Sequence, residues 1–347
     1  MEKIRLGKTN MMVTRLGFGA IPIQRLSDQD AMAVISRCLE LGITYLDTAN
    51  GYTTSEERIG KVISRQREKV IIATKSLART RESITKHLEL SLKRLNTDYI
   101  DLYQLHNVSD ASSLKTILDP DGPRAVVEEA KKAGRVKHIG VTSHTMDIAK
   151  QLVESDLFET IMFPFNFMAD EAAHELLPLV RAHDMGFIAM KPLSGGMITN
   201  ATLSFKYLWQ FPDIVTIPGI EKVQEIEEII RIVNGPLEMT SAEQEEMVRL
   251  KEELGDRFCR RCEYCQPCTQ EIPISAIMTA EGTIKRTPPD VYIRMLDGAM
   301  AKASTCLKCG ECETRCPYHL PIRDMIDENV KMYQRAKEKH SSSTGKN

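Results

Sequence analysis

The segment KVIIATKSLARTRESITKHLELSLKRLNTDYIDLYQLH, residues 69–106, places a helical pattern between two apolar runs. The runs 69–76 and 99–106 are almost continuously apolar, which is typical of strands that are covered on both faces. The stretch 81–96 between them has the apolar period of an amphipathic helix. A strand, a helix and a second strand in this order predict two parallel strands joined by a helix that covers one face of their sheet.

The same alternation recurs along residues 1–255. We predict eight strands, at 14–20, 44–49, 69–76, 99–106, 137–144, 160–166, 186–192 and 214–220. Helical patterns lie between them at 28–42, 81–96, 121–133, 169–184 and 222–233. Eight repeats over this length favour a (β/α)8 TIM barrel. A doubly wound sheet is the alternative, but the Gly-rich turn that it needs after the first strand is absent, since Gly17-Phe18-Gly19 continues as Ala20-Ile21-Pro22.

The composition predicts two domains and excludes several classes of partner. A chain of 347 residues is longer than the roughly 250–300 at which a single core stops growing. The formal charge of −2 gives no reason to expect a nucleic acid or an anionic membrane as a partner. No apolar run approaches the ~20 residues of a membrane span, and the N-terminus has no signal-peptide core. We therefore expect a cytoplasmic protein that does not enter the membrane.

The predicted strand ends carry four side chains suited to acid–base chemistry. Asp47 ends the second strand, Tyr52 follows five residues later, Lys75 ends the third strand and His106 ends the fourth. In a barrel of this kind function sits at the carboxyl ends of the strands, so the four should converge on one mouth. Taken singly, the Asp and Lys could be a structural ion pair and the His a core residue.

The barrel segment resembles the aldo-keto reductase family. The resemblance rests on RLGKT (5–9), GFGA (17–20), DTANGY (47–52), ATKS (73–76), DLYQLH (101–106), GVTSH (140–144) and IPG (217–219), and it covers about residues 1–255. It implies that an aldehyde or ketone is reduced by hydride from NADPH or NADH. Tyr52 would be the acid that protonates the nascent alkoxide, and Lys75 would favour its phenolate. Asp47 would pair with Lys75, and His106 would donate to the substrate oxygen.

The resemblance also implies cofactor contacts. Thr142 and Ser143 stand where relatives hold the nicotinamide carboxamide, while Met162 and Met190 stand where a Gln and an aromatic residue are usual. The PLSGG loop, with Leu193 and Gly195, and the stretch from Gly219 into the helix at 222–233 would hold the pyrophosphate and adenosine. Glu225 occupies the position of a basic residue that meets the 2′-phosphate in NADPH-preferring relatives. Lys222 would offset the repulsion between the Glu225 carboxylate and that phosphate, so the choice between NADH and NADPH stays open.

Eight of the nine cysteines lie within 259–316, and such spacing in an intracellular chain indicates metal ligands rather than disulfides. The ninth, Cys38, lies in an apolar helix and is expected to be a buried thiol. The first run is Cys259, Cys262, Cys265 and Cys268, with spacing C-x2-C-x2-C-x2-C; the second is Cys306, Cys309, Cys312 and Cys316, with spacing C-x2-C-x2-C-x3-C-P. The second spacing is that of a ferredoxin-type iron–sulfur run.

The two runs form an internal repeat. Cys268 is followed by TQEIPISAIM and Cys316 by PYHLPIRDMI, so each run leads through an Ile/Leu-Pro-Ile to a helical stretch. This resembles an α-helical ferredoxin with helices near 289–304 and 321–337. In two-cluster ferredoxins the fourth cysteine of each run serves the other cluster, which predicts two [4Fe–4S] clusters. Zinc is the alternative metal. A single cluster is the alternative count, because Cys268 follows a spacing of x2 rather than x3 and Thr269 replaces the usual proline.

We therefore predict three segments: a barrel over 1–255, an all-α iron–sulfur domain over 256–338 and a disordered tail over 339–347. The leading hypothesis for function is an NAD(P)H-dependent oxidoreductase that acts on a small carbonyl compound, with clusters of structural or redox use. One alternative is an electron-transfer or redox-sensing protein with a redox partner protein. Another is a regulatory barrel that has ceased to turn over.

Overall fold

The computed structural model describes residues 1–64, 66–255, 257–261 and 263–344, with the backbone alone for residues 343 and 344. The chain forms two compact units, Met1–Met239 and a second that begins at Thr240. The sequence placed the boundary after residue 255. The helix Ser241–Gly255 lies in the second unit instead, and none of its residues is buried.

The first unit is a barrel of eight parallel strands, as predicted. A two-stranded antiparallel hairpin precedes it, and the parallel strands pair in sequence order from β3 to β10. The strands are β1 (Lys3–Arg5), β2 (Met12–Thr14), β3 (Phe18–Gly19), β4 (Tyr45–Asp47), β5 (Ile71–Ser76), β6 (Ile100–Leu105), β7 (Val136–Thr142), β8 (Thr160–Pro164), β9 (Gly186–Met190) and β10 (Ile214–Ile217). Seven of the eight predicted strands contain a whole barrel strand, and the predicted strand 137–144 overlaps β7, which begins one residue earlier at Val136.

Backbone hydrogen bonds join the first barrel strand to the last and close the sheet. The amide of Gly17 donates to Thr216 O over 2.9 Å, and that of Gly19 donates to Pro218 O over 2.8 Å. A Cβ atom on Gly19 would lie 2.7 Å from the same Pro218 oxygen, which is closer than a side chain can approach. Only glycine therefore lets the two strands meet here, and the closed barrel rules out the doubly wound alternative.

The hairpin was not predicted, because both of its strands carry exposed residues and neither lies in a near-continuous apolar run. It supplies Leu6 and Val13 to an apolar cluster inside the barrel, where both are fully buried. The other core positions of that cluster come from the barrel strands, and Val215 and Ile217 alternate along β10. The interior is therefore a packed core rather than a channel.

Among the residues that the structure describes, ten α-helices cover the outside of the barrel unit. They are α1 (Asp28–Glu40), α2 (Ser55–Ile63), α3 (Arg81–Leu95), α4 (Ala111–Leu118), α5 (Pro123–Lys132), α6 (Met146–Glu154), α7 (Glu171–Glu175), α8 (Leu177–Ala182), α9 (Ala201–Leu208) and α10 (Val223–Val233). The sequence missed α2, α4, α6 and α9. The helix expected over 169–184 is split at Leu176, because Pro178 lies at the start of α8 and cannot continue the hydrogen bonding of α7.

The second unit is entirely helical among the residues that the structure describes. Its helices are α11 (Ser241–Gly255), α12 (Ile274–Met278), α13 (Ala280–Arg286), α14 (Pro289–Ala303), α15 (Glu311–Thr314) and α16 (Ile322–Thr344). The small core is built from α12, α14 and α16, with Ile277, Leu296 and Ile326 buried. The last helix continues through residues 339–344, where the sequence suggested a disordered tail. No helix in the described part of the chain is both long and apolar enough to cross a membrane.

Candidate functional site

Three neighbouring strands carry ionisable side chains at their carboxyl ends. Asp47 is the last residue of β4, Lys75 lies one residue before the end of β5, and His106 directly follows β6. The backbone pairing continues beyond the strands, since Asn50 donates to Lys75 O and His106 donates to Ser76 O, each over 2.9 Å. The predicted side chains therefore share one rim of the barrel.

A buried ion pair joins Asp47 and Lys75. Lys75 Nζ lies 2.5 Å from Asp47 Oδ1 and donates to Thr48 O over 2.8 Å. The two residues are 3% and 2% exposed. Burial works to lower the pKa of Lys75, but the Asp47 carboxylate and the Tyr52 phenol outweigh it, so the pKa is raised. Burial raises the pKa of Asp47 against the pull of the ammonium. The contacts favour a charged ammonium at this depth.

Tyr52 faces that ammonium from the loop between β4 and α2. The loop turns sharply, with Tyr52 N donating to Ala49 O over 2.9 Å. Lys75 Nζ lies 5.1 Å from the centroid of the Tyr52 ring, and the two side chains also hydrogen-bond. The His106 ring meets the Tyr52 ring edge-on, with their centroids 6.1 Å apart and their planes at 82°. All four predicted side chains thus lie together.

His106 is held in the neutral form. Burial lowers its pKa well below the usual range, and the nearby charges of Lys75 and Arg79 lower it further. A neutral imidazole carries one N–H and can donate one hydrogen bond. At neutral pH this ring can therefore donate to a carbonyl oxygen without adding a charge to the site.

The predicted carboxamide contacts lie at the end of β7. Thr142 is 1% exposed, and its hydroxyl accepts from the Asn107 amide over 2.8 Å. Ser143 Oγ donates to Thr145 O over 3.2 Å, so both hydroxyls already have protein partners. Met162 packs inside the barrel and is also 1% exposed, whereas Met190, at the end of β9, is only partly buried. Of these two methionines, Met190 presents the more accessible surface.

The predicted phosphate and adenosine segments differ in how their groups are used. Leu193 begins a short turn in which Gly195 has a left-handed φ of 72°. Glu225 folds back over the start of α10, where its carboxylate accepts from the amides of Glu221 (2.7 Å) and Lys222 (3.0 Å). A negative charge therefore already occupies this helix start, while the Lys222 side chain is exposed.

Two cavities in the second unit are lined by cysteines of both runs. The first, of about 340 Å³, is lined by Cys259, Cys265 and Cys316; we call it site I. The second, of about 440 Å³, we call site II, and its cysteines are Cys265, Cys268, Cys306, Cys309 and Cys312. The fourth cysteine of each run thus lines the cavity of the other run. Cys262 lies outside the described residues.

The backbone repeats between the two runs. Residues two and four positions after the first cysteine have left-handed φ angles in both, at Arg261 and Glu263 and at Lys308 and Gly310. Three positions after the last cysteine, Glu271 and His319 have φ angles of 52° and 51°. The internal repeat seen in the sequence is therefore a repeat of conformation. Alternating left-handed residues point successive amides into one concavity, as at many iron–sulfur sites.

A [4Fe–4S] cluster and a single metal ion require different arrangements of their ligands. In the described part of the chain, no three Cys, His, Asp or Glu side chains come close enough together to hold one metal ion. A zinc ion needs its four ligands within one tetrahedron, whereas a [4Fe–4S] cubane takes one thiolate at each of several separated irons. Among the described residues, three cysteines line site I and five line site II, so each cavity offers several thiolates.

Comparison with known proteins identifies both units. A sequence model of the aldo/keto reductase family matches residues 15–207, which is more than half of the chain. The chain belongs to the aldo/keto reductase family. A second model, for a 4Fe-4S dicluster domain, matches residues 258–321 of this aldo/keto reductase. It is therefore an oxidoreductase that uses a nicotinamide cofactor, and its second unit is an iron–sulfur domain.

Similar proteins match the barrel of this reductase. The uncharacterized oxidoreductase YqkF of Bacillus subtilis is 30% identical over 217 residues, covering 58% of this chain and 68% of that protein. The NADH-specific methylglyoxal reductase of Escherichia coli is 29% identical over 230 residues, covering 58% and 70%. The solved holo form of aldo-keto reductase AKR11C1 from Bacillus halodurans has a TM-score of 0.62 and 24% identity, covering 72% of this chain and 96% of that one. The last likeness is one of fold.

Two further residues at the barrel site of this aldo/keto reductase escaped the sequence analysis. Gln104 Nε2 donates to Asp47 Oδ2 over 3.1 Å and completes the ion-pair network. Arg79 Nη2 donates to the carbonyl oxygens of His106 (2.7 Å) and Asn107 (3.1 Å). Gln104 could have been found, because it lies two residues before His106 and strand side chains alternate. Arg79 lies in a loop, where no periodicity marks it.

Proposed function

We propose that the barrel reduces a small aldehyde or ketone, with Tyr52 as the general acid. The observation that supports this most is the convergence of a phenol, a buried ammonium and a neutral imidazole, with Lys75 Nζ 5.1 Å from the Tyr52 ring centroid. When bound, the nicotinamide cofactor would supply a hydride to the carbonyl carbon. As the C=O bond pair moves to oxygen, Tyr52 gives that oxygen its proton, and solvent then restores the phenol.

The other three residues have supporting roles in this proposal. Lys75 stabilises the phenolate that forms, since an opposite charge nearby favours the ionised form. Asp47 fixes the ammonium and balances its charge. His106, neutral at pH 7, donates to the substrate oxygen and orients it toward Tyr52. Thr142 and Ser143 are proposed to meet the carboxamide of the cofactor, and Met190 the nicotinamide ring.

Replacement of a single hydroxyl tests the proposal. Tyr52→Phe keeps the ring but removes the acid, so we expect turnover of NADH or NADPH with a panel of carbonyl compounds to fall by about 10²–10⁴. Tyr99→Phe is the matched control, because Tyr99 stacks under Arg67 and Lys137 next to the start of β6, at the opposite end of the barrel. Equal rates in Tyr52→Phe and the wild type would remove the mechanism.

We propose NADH as the preferred coenzyme. A carboxylate at the start of α10 can accept a hydrogen bond from a ribose 2′-hydroxyl, whereas it repels a 2′-phosphate. Glu225 holds its carboxylate there through the amides of Glu221 and Lys222. The family resemblance implies that the adenosine ribose lies beside this helix start. The similar reductase of Escherichia coli is NADH-specific by name.

We propose that the second unit carries two [4Fe–4S] clusters that exchange their fourth ligands. Site I would use Cys259, Cys262, Cys265 and Cys316, and site II would use Cys306, Cys309, Cys312 and Cys268. The crossed lining of the two cavities supports this ligand assignment. A chemical count for the anaerobically purified protein should give about eight irons and eight sulfides per chain. About four of each would support a single cluster.

A second candidate function is electron exchange with a redox partner protein, and exposure at site II favours it. Cys309 is exposed, and Leu307 beside it is 67% exposed, whereas Cys316 at site I is 6% exposed. A cluster bound at Cys309 would lie near solvent, where a one-electron carrier can reach it. This function predicts that a one-electron carrier protein reduces the clusters in the absence of carbonyl compounds. Replacing Leu307 with Lys should slow that step but leave carbonyl turnover unchanged.

A further inference from the structure

The Arg79 guanidinium is bound to the backbone of the loop that carries His106. Besides the two bonds to His106 O and Asn107 O, its Nη1 donates to Ala78 O over 3.2 Å. Asp110 acts on it only through its charge, without a short contact. Arg79 is half-buried, and its N–H groups donate to carbonyl oxygens rather than to a carboxylate. These hydrogen bonds hold the backbone at the bonded carbonyl groups.

The opposite side of the same loop is bound to β7. Asn107 has a left-handed φ of 56°, and its amide donates to Thr142 Oγ1 over 2.8 Å. Val108 N donates to Thr142 O over 2.8 Å. Arg79 lies three residues after the end of β5, the strand that carries Lys75, so one loop is clamped between β5 and β7. His106, the proposed donor to the substrate, and Thr142, the proposed cofactor contact, lie at the two sides of this clamp.

We propose that Arg79 is a positioning residue for the barrel site, which fixes the His106 ring against Tyr52 and keeps the loop seated on Thr142. Hydrogen bonds to carbonyls involve a charged donor here and are accordingly strong. Loss of the clamp would let the ring move away from Tyr52. A displacement of about 1 Å at a reacting group can reduce the rate by about 100-fold.

The charge of Arg79 has a separate effect that can be measured. The charged or titratable groups that face His106 are Tyr52 from the β4 loop, Lys75 from β5 and Arg79 itself, and Asp47 offsets Lys75. From the β7 side, His144 Nδ1 lies 3.0 Å from Oδ1 of Asn107, the residue that follows His106. Because Arg79 is one of the two cations that lower the pKa of His106, removing its charge should raise that pKa.

Two substitutions at Arg79 separate position from charge. Arg79→Met removes both, and we expect kcat to fall by about 100-fold while the midpoint of His106 protonation moves to higher pH. Arg79→Lys keeps the charge but loses the planar fork, so kcat should fall while the midpoint stays close to that of the wild type. Arg81→Met is the control, since Arg81 lies two residues away and pairs with Glu129 on the surface. It should change neither quantity.

The midpoint is measured by NMR titration of the histidine rings, with His106→Gln assigning the signal, and kcat is measured across pH. The inference rests on the proposed reduction, but the NMR midpoint needs no turnover. If Tyr52→Phe failed to slow the enzyme, the midpoint would still report on Arg79. The proposal is overturned if Arg79→Met leaves kcat and the midpoint unchanged, or if Arg81→Met alters them equally. If Arg79→Met does not fold, an unchanged kcat in Arg79→Lys overturns it.

Discussion

Replacing Asp47 with Asn tests the buried ion pair on which the barrel site depends. Asn keeps the shape of the side chain but leaves the Lys75 ammonium, 2% exposed, without its counter-ion. Removing one partner of a buried pair costs about 3–5 kcal/mol, and we expect the lower end, because Thr48 O still accepts from Lys75 over 2.8 Å. The exposed pair of Arg81 and Glu129 provides the control, since Glu129→Gln should cost less than about 1 kcal/mol.

The fluorescence of the single tryptophan measures the loss of stability in the barrel unit, where Asp47 lies. Trp209 is 8% exposed and lies in the barrel unit, beneath Arg15. For a domain of this size, 1 kcal/mol shifts Tm by about 2–4 °C, so a loss of about 3 kcal/mol lowers the Trp209 transition by about 6–12 °C. Iron–sulfur absorbance followed in the same scan reports separately on the second unit.

The pH dependence gives the prediction a sign. In the wild type the pKa of Lys75 is raised, so its stabilisation is complete below its unfolded pKa near 10.4 and is lost only at higher pH. In Asp47→Asn, burial acts without the carboxylate and lowers the pKa of Lys75. The variant should then gain stability relative to the wild type as the pH rises from 7 toward 10. A Tm equal to that of the wild type at pH 7, or a deficit that does not narrow with pH, would refute this reasoning.

Three other predictions concern the coenzyme, the barrel closure and the clusters. Glu225→Lys should raise the ratio of kcat/KM for NADPH to that for NADH by at least about tenfold, because a cation replaces the carboxylate at the start of α10. Steady-state kinetics with both coenzymes measures this ratio. An unchanged ratio would contradict the proposed ribose position. Gly19→Ala should destabilise the barrel by about 1–3 kcal/mol in the Trp209 transition, because its Cβ would lie 2.7 Å from Pro218 O, whereas the Cβ of Gly51→Ala meets no atom within 4 Å and should change it little. Cys268→Ser and Cys316→Ser should each remove a different one of two cluster signals in electron paramagnetic resonance, and loss of the same signal in both would reject the crossed ligands. Cys38→Ser, at a buried thiol whose pKa burial raises to about 12, should leave the iron content unchanged.

Most of the fold could be predicted from the sequence, because buried strands and amphipathic helices each have a recognisable local pattern of apolar residues. The eight barrel strands were predicted from near-continuous apolar runs separated by helices. The hairpin of β1 and β2 was missed, since both strands carry exposed residues and lack the near-continuous apolar run that marks the barrel strands. The helices α2, α4, α6 and α9 were missed too, all of them nine residues or fewer. Short elements are stabilised by what they pack against, which a local pattern does not contain.

The sequence by itself determined the alternation of strands and helices, the rim on which Asp47, Tyr52, Lys75 and His106 lie, and the pairing of the two cysteine runs as a repeat. These follow from period, order and spacing along one chain. Only the tertiary structure decided that Gln104 completes the ion pair and that Arg79 clamps the loop after β6. Each is a contact between groups 27 to 57 residues apart. Such contacts form because folding brings distant segments together, and no local pattern records which groups will meet.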